Sequence, residues 1–201
     1  MQQPRLRVLR RLGTPLPGLT RKEVRWKTYP PGAHGAGRRA RISEFGLHLA
    51  EKQKVRLHYG ISEGQMRRAF EHATREPGPT GQNFLARLER RLDSVVFRLG
   101  FAPTIPAARQ LVSHGHVRVN GTRVNRAGFL IGAGDRVQIS ERGRRIPDVE
   151  VAVAKGPEIR LPGFLTLDPD DAFSGVVTAT PQRADVPFLV EESAIVEFYA
   201  R

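Results

Sequence analysis

The sequence predicts an α+β fold: a helical N-terminal domain, then a helix–helix–β-ribbon unit, then an acidic, β-prone C-terminal segment. Three observations predict it. From Gln82 to Ser140, two stretches with apolar residues at helical spacing lead into an Asn-Gly hairpin signal. Ser43 to Tyr59 and Ser62 to Ala73 read as two further helices upstream. The charge is also split along the chain. Residues 1–75 hold 17 basic and 5 acidic residues, 76–145 hold 12 and 5, and 146–201 hold 4 and 10, within a net +13. Such asymmetry points to a polyanion partner for the first three quarters and a different task for the tail.

Residues 1–41 read as an extended basic arm. Arg5, Arg7, Arg10 and Arg11 open it, and Gly13, Pro15, Pro17 and Gly18 punctuate it. Arg21, Lys22, Arg25 and Lys27 follow, with Trp26 and Tyr29 interleaved, then Arg38, Arg39 and Arg41. This composition buries too little apolar surface to fold alone, whereas against a polyanion the arm lies down. A solvated tail is the competing reading. Residues 42–81 make the first part of the helical domain. Its first helix is basic through Lys52, Lys54 and Arg56, and Ser62 to Gln65 has capping-box form for the second. Met66, Ala69, Phe70 and Ala73 fall at core spacing, and Glu76-Pro77-Gly78-Pro79-Thr80-Gly81 breaks the chain.

Residues 82–145 form the central unit. Phe84, Leu85, Leu88, Leu92, Val95, Val96 and Leu99 mark one continuous helix, with Arg87, Arg90, Arg91 and Arg98 on its far side and Gly100 at its end. Thr104 caps a second helix, Pro106 sits in its first turn, and Ala107, Ala108, Leu111 and Val112 form its buried side. Arg109, Gln110 and Ser113 stay outside. The hairpin around Asn120-Gly121 places Val117, Val119, Thr122 and Val124 on one face and His116, Arg118, Arg123 and Asn125 on the other. After a turn at Gly132–Asp135, Val137 and Ile139 point inward on a third strand. Arginine forks bind phosphate through paired hydrogen bonds, and Asn, Gln and His add partners for ribose hydroxyls and base edges. Residues 146–201 alternate β-prone runs (Val149 to Val153, Phe164 to Leu167, Val176 to Ala179) with turns, and Glu191 to Tyr199 reads as a closing helix.

Several chemistries are excluded or unsupported. There is no cysteine, so neither disulfides nor a Cys-based zinc site exist. Of the 33 basic residues 28 are Arg, which fits phosphate recognition and equally an Arg-rich codon usage. The six histidines lack metal-ligand spacing; His114 and His116 read as hydrogen-bonding or RNA-contacting groups. No Walker loop or GxSxG elbow appears, and no cofactor or metal is expected. Neither a membrane span nor a secretory signal is present, so cytoplasmic residence is expected.

Arg90-Arg91-Leu92-Asp93, Leu99-Gly100-Phe101-Ala102, Ala108 to His116 and Val119-Asn120-Gly121 together resemble the RNA-binding domain of the small-subunit ribosomal protein S4 family. Pro30-Pro31-Gly32-Ala33-His34-Gly35, Glu51-Lys52-Gln53-Lys54, Tyr59-Gly60 and Thr80-Gly81 resemble the same family, in its bacterial or plastid, cysteine-free form, with Ala33 where Gln is usual. The resemblance implies that the RNA-binding unit is inserted, and that residues 146–201 return to pack on the N-terminal helices. It implies binding to small-subunit ribosomal RNA, contact with neighbouring small-subunit proteins and with messenger RNA where it enters the subunit, early binding in assembly, and an influence on decoding accuracy. On the residues of this chain, the expected RNA contacts are Arg5, Arg10, Arg11, Lys22, Arg38, Arg39 and Arg41 in the arm and Lys52, Lys54 and Arg56 in the first helix. In the central unit they are Arg109, Gln110, Ser113, His114, His116, Arg118, Asn120 and Arg123.

Two alternatives carry the same module. A free RNA-binding factor would lack the Pro-Pro-Gly arm and acidic return. Some pseudouridine synthases use the Asp of an Arg-Leu-Asp triplet, here Arg91-Leu92-Asp93. Their catalytic domain is much longer than the 61 residues left after Ser140, and Asp93 beside Arg90 reads as a surface ion-pair member.

Overall fold

The computed structural model describes residues 5–22, 29–32, 35, 37 and 42–200. They build two apolar cores, and the chain visits the first of them twice. Helices α1 (Arg5–Leu12), α2 (Glu44–His58), α3 (Glu63–Ala73) and α4 (Thr80–Glu89) supply Leu9, Val55, Met66, Phe70, Phe84, Leu85 and Leu88 to the first core. The C-terminal stretch returns to it through Val186, Phe188, Val190 and Ile195, the last from α9 (Glu192–Ala200). The capping box expected at Ser62 has both halves: Gln65 N donates to Ser62 Oγ and Ser62 N to Gln65 Oε1.

The single long helix expected from Phe84 to Leu99 is two helices, α4 and α5 (Leu92–Arg98). Its stripe is divided between the cores: Phe84, Leu85 and Leu88 face the first, and Leu92, Val95, Val96 and Leu99 the second. At the break Arg91 is extended (φ −65°, ψ 139°), and the backbone pairs with a distant loop instead of with itself. Leu92 N donates to Phe129 O at 2.8 Å, Asp93 N to Ala127 O at 3.2 Å and Ile131 N to Arg90 O at 2.9 Å. Those bonds satisfy groups that a continuous helix would pair internally. The boundary expected at Gly81 therefore falls within the first core; the change of core comes at Arg90–Arg91.

The second core lies between α5, α6 (Ile105–Ser113), α8 (Pro147–Lys155) and a five-stranded antiparallel sheet of order β2-β1-β3-β5-β4. Its strands are β1 (Val117–Val119), β2 (Thr122–Val124), β3 (Arg136–Ile139), β4 (Leu165–Leu167) and β5 (Ser174–Val177), with the short helix α7 (Glu141–Arg144) after β3. Asn120 and Gly121 take the positive φ values, 50° and 80°, that the hairpin signal demands. Val117 lies opposite Val124 and Val119 opposite Thr122, the register expected. Because β4 and β5 extend the same sheet, the boundary expected at Arg145 cuts through one unit. Only from Val186 onward does the chain return to the first core.

Two further expectations are corrected. Val149 to Val153 is helical, within α8: Pro147 fits the first turn, Asp148 and Glu150 suit the positive helix end, and Gly156 (φ 81°) closes it. Tertiary packing of Val149 and Ala152 overrides the strand propensity of the valines. The N-terminal arm is not extended throughout. Residues 5–12 are helical with Val8 and Leu9 buried, and Leu16 and Leu19 are buried beyond them. Gly18 passes so close to Phe97 that a Cβ there would lie 2.4 Å from the ring, and its carbonyl accepts from Ile105 N at 2.9 Å. Arg38, Arg39 and Arg41 lie outside the described residues.

A buried polar network ties the units together. Glu89 is fully buried and accepts from Tyr59 Oη at 2.6 Å and from Arg98 Nε and Nη2 at 3.0 Å each; Arg98 also donates to the Asp185 carbonyl. Arg98 is thus 3% exposed, where the helical wheel placed it outside. Burial, with the Glu89 carboxylate beside it, holds the Tyr59 hydroxyl protonated well above the usual tyrosine range.

His58 packs against Phe188, ring centroids 4.4 Å apart and planes tilted by 46°, and its Nδ1 has no hydrogen-bond partner. Burial, assisted by the positive charge of Arg98, pushes its pKa down to about 3 from 6.5. The folded state thus holds a neutral imidazole that the unfolded chain would protonate below pH ~6.5, so the His58 contribution to stability is present above that pH and lost as pH falls toward about 3. His58→Phe keeps the ring packing and removes the titration. Urea unfolding from pH 7 to 4 should show the variant gaining on the native protein by up to roughly 1.4 kcal/mol per pH unit below pH ~6. A constant difference across that range would remove His58 as the cause.

Candidate nucleic-acid interface

Two surfaces collect the basic and amide side chains. The first is the helix–ribbon face. Thr104 Oγ1 accepts from Ala107 N at 3.2 Å and sets the start of α6, whose buried side is Ala108, Leu111 and Val112. Gln110, Ser113 and His114 emerge exposed at its far end. Gly115 turns the chain into β1 with φ +75°, a conformation that favours glycine, and the Arg123 guanidinium packs over it. Arg123 donates to the His114 carbonyl at 3.3 Å. Across the ladder Arg118 stands directly opposite Arg123. Like charges facing across a strand pair cost stability, a cost that a bound polyanion reverses. Partial burial, then the charges of His114, Arg123 and Arg142, lowers the pKa of His116, so near neutrality its imidazole offers one donor and one acceptor.

The second surface is an open groove of about 570 Å³ along the seam between the two units. Arg5 of α1, Arg56 of α2, and Arg109, Gln110 and Ser113 of α6 all line it, so five of the expected contacts meet here. On the other side of Arg109 lies a second open groove of about 580 Å³, lined by Arg68, His72, Arg87, Arg91 and Arg126. None of these five was among the expected contacts. A usable signal existed for two: Arg68 and His72 are four residues apart on α3 and share a helical face.

Other expected contacts are placed differently. Arg109 is engaged within the chain: it donates to Asp93 Oδ2 from Nε at 3.0 Å and from Nη2 at 2.6 Å, to the Tyr59 carbonyl at 2.8 Å and to the Gly60 carbonyl. Lys52, at 5% exposed, donates to Glu63 at 2.8 Å and lies over the Phe198 ring at 4.4 Å. It is a core cation, because α9 covers the face that the isolated helix would present. Lys54 pairs with Glu51. Arg10 folds the arm back, donating to the Tyr29 and Pro30 carbonyls at 3.4 and 3.5 Å, while Arg11 and Lys22 are exposed. Asn120 is a hairpin clamp: its amide donates to Asp135 at 2.7 Å and its oxygen accepts from Arg136 N at 2.8 Å. Asp93 is fully buried rather than on the surface, held between Arg91 and Arg109. Among the described residues no three His, Asp or Glu side chains gather as a metal site, and no helix is long and apolar enough to cross a membrane.

A basic helix–ribbon face beside a basic seam, on an α+β scaffold, defines an RNA-binding protein class. Comparison with known proteins places it more closely. Residues 90–137 match the S4 domain, and residues 1–89 match the ribosomal protein S4/S9 N-terminal domain. Over 198 residues, 98% of this chain and 97% of the relative, it is 43% identical to the small ribosomal subunit protein uS4 of Geobacillus thermodenitrificans. It is 46% identical to uS4B of Nitrosomonas europaea over 98% of this chain and 96% of the relative. It is 43% identical to uS4 of Rubrobacter xylanophilus over 98% and 97%. The chain belongs to the ribosomal protein S4 family, and the insertion of the S4 domain into a helical domain is the arrangement described above.

Asn120→Ala removes both clamp bonds and places alanine at a positive φ, and should cost about 1–3 kcal/mol in urea unfolding. RNA affinity at a temperature where the variant stays folded should be unchanged, since the amide is spent on the clamp; a weakened affinity would restore Asn120 as an RNA contact.

Proposed function

We propose that the protein is a structural component of the small ribosomal subunit that holds folded small-subunit ribosomal RNA against the seam groove and the helix–ribbon face. The observation that carries this reading is convergence. Arg5, Arg56 and Arg109, widely separated in sequence, line one open groove with Gln110 and Ser113. The exposed Arg118 and Arg123 extend the same charge along the ribbon. Arginine and backbone charge neutralisation would supply much of the affinity by counterion release, and groove shape with 2′-hydroxyl contacts would supply selectivity.

The reading is non-catalytic. Asp93 is fully buried, with both oxygens accepting from arginines, and so has no access to a uridine. Family membership extends the proposal to neighbouring small-subunit proteins, to messenger RNA where it enters the subunit, to early assembly and to decoding accuracy. It also favours residence on the ribosome, in a bacterial cytoplasm or a plastid stroma.

Arg56→Ala with Arg118→Ala removes one cation from each surface without touching a buried ion pair. Filter binding to a full-length small-subunit rRNA transcript should weaken, and the slope of log K against log salt should fall by about 1.4–1.8, the yield of two phosphate contacts. An unchanged slope would move the RNA to another face. Retention on small subunits after a high-salt wash separates an integral component from a free RNA-binding factor.

A further inference from the structure

Asp93 lies in the first turn of α5 with no exposed surface, and both its oxygens are engaged. Oδ1 accepts from Arg91 Nε and from Ser94 N, each at 3.0 Å. Oδ2 accepts from Arg91 Nη2 at 2.8 Å and from Arg109 Nη2 at 2.6 Å. Arg109 then continues across the seam to the carbonyls of Tyr59 and Gly60. These carbonyls follow the last turn of α2, where the helix dipole is negative and favours a guanidinium. An unbroken line of hydrogen bonds therefore runs from the sheet unit to the helical unit: carboxylate, guanidinium, carbonyl.

That line coincides with the wall between the two basic grooves. Arg109 lines both, and Arg91 lines the second. One buried carboxylate thus holds an arginine in the lining of each groove. Paired guanidinium–carboxylate bonds are directional, whereas apolar contacts across the seam tolerate sliding.

We infer that Asp93 is a positioning residue. Acting through Arg109, it sets the angle between the helical and sheet units, so that the two grooves form one track for a single RNA. The inference rests on the RNA-binding reading above and adds to it the second groove and the device that aligns it. Two linked sites gain affinity through effective concentration only while their geometry allows both to be filled. Without the carboxylate each groove still attracts phosphate, but the two are no longer in register.

The chain has no cysteine, so labels can be placed singly. Glu71→Cys on α3 and Thr122→Cys on β2 put spin labels on exposed positions of the two units. The full chain should give one narrow interlabel distance distribution. Asp93→Asn should broaden or shift it, weaken binding to a full-length small-subunit rRNA transcript roughly 10–100-fold, and lower the salt slope. Arg118→Ala, on the ribbon, should weaken binding with the distance unchanged. Arg109→Gln cuts the line while leaving the Asp93–Arg91 pair, and gives the same readouts should Asp93→Asn fail to fold. Unchanged affinity in these two seam variants, or lost affinity with an unchanged distance distribution, overturns the inference. Failure of the native chain to bind the transcript would overturn the functional reading, and the label distances would still decide whether Asp93 sets the angle.

Discussion

Two buried carboxylates, Glu89 and Asp93, stand on either side of the Arg90–Arg91 break, and the junction of the two cores is built around their neutralisation. Each has lost its hydration entirely. A carboxylate in that position destabilises the fold unless cations and donors surround it. Glu89 draws in Arg98 from α5 and Tyr59 from the end of α2, and Arg98 reaches on to the Asp185 carbonyl in the returning segment. Asp93 draws in Arg91 and Arg109. The two acids therefore link α2, α4, α5, α6 and the return at their junction. Apolar burial drives each core together; the ion pairs bridge one core to the other at their junction.

The tail has a part in the same electrostatic scheme. Its acidic residues do not all face solvent or a partner. Asp148 pairs with Arg21, Asp168 with Arg136, Asp171 with Arg144 and Glu192 with Arg183. The Arg21–Asp148 pair is more than half exposed on both sides and contributes little to stability by itself. Each pair neutralises a cation that lines neither groove. A basic protein with an evenly spread charge would bind a polyanion in many orientations. Neutralising part of the charge within the fold narrows that set of orientations before any specific contact forms.

Much of the fold was readable because it rests on local rules. Asn120-Gly121 specifies a hairpin through backbone conformations that few other pairs tolerate. Thr104 and Ser62 announce helix starts because free N–H groups at a helix end need an oxygen. The inward strand positions follow from a period of two. The placement of some expected contacts was readable too: Arg118 and Arg123 are exposed on the ribbon, and Arg5, Arg56 and Gln110 line the seam groove, as their own segments dictate.

The residue types and their spacing determined that this chain would be an α+β, basic, cysteine-free member of an RNA-binding family, since composition and short-range periodicity belong to the chain itself. Only the tertiary structure decided that the stripe from Phe84 to Leu99 serves two cores. Helical periodicity records which side of a helix is apolar, and it is silent on whether that side meets one partner or two. The same limit hid the fates of Lys52, Arg98, Arg109 and Asp93. A charged side chain at a helical position is solvent-exposed until another segment covers it, and the covering segments here lie 16 positions away for Arg109, 87 for Arg98 and, for Lys52, as far as α9. Long-range burial converts an apparent surface charge into an internal strut, because the cost of dehydrating one ion is met only when the fold delivers its counter-ion to the same place.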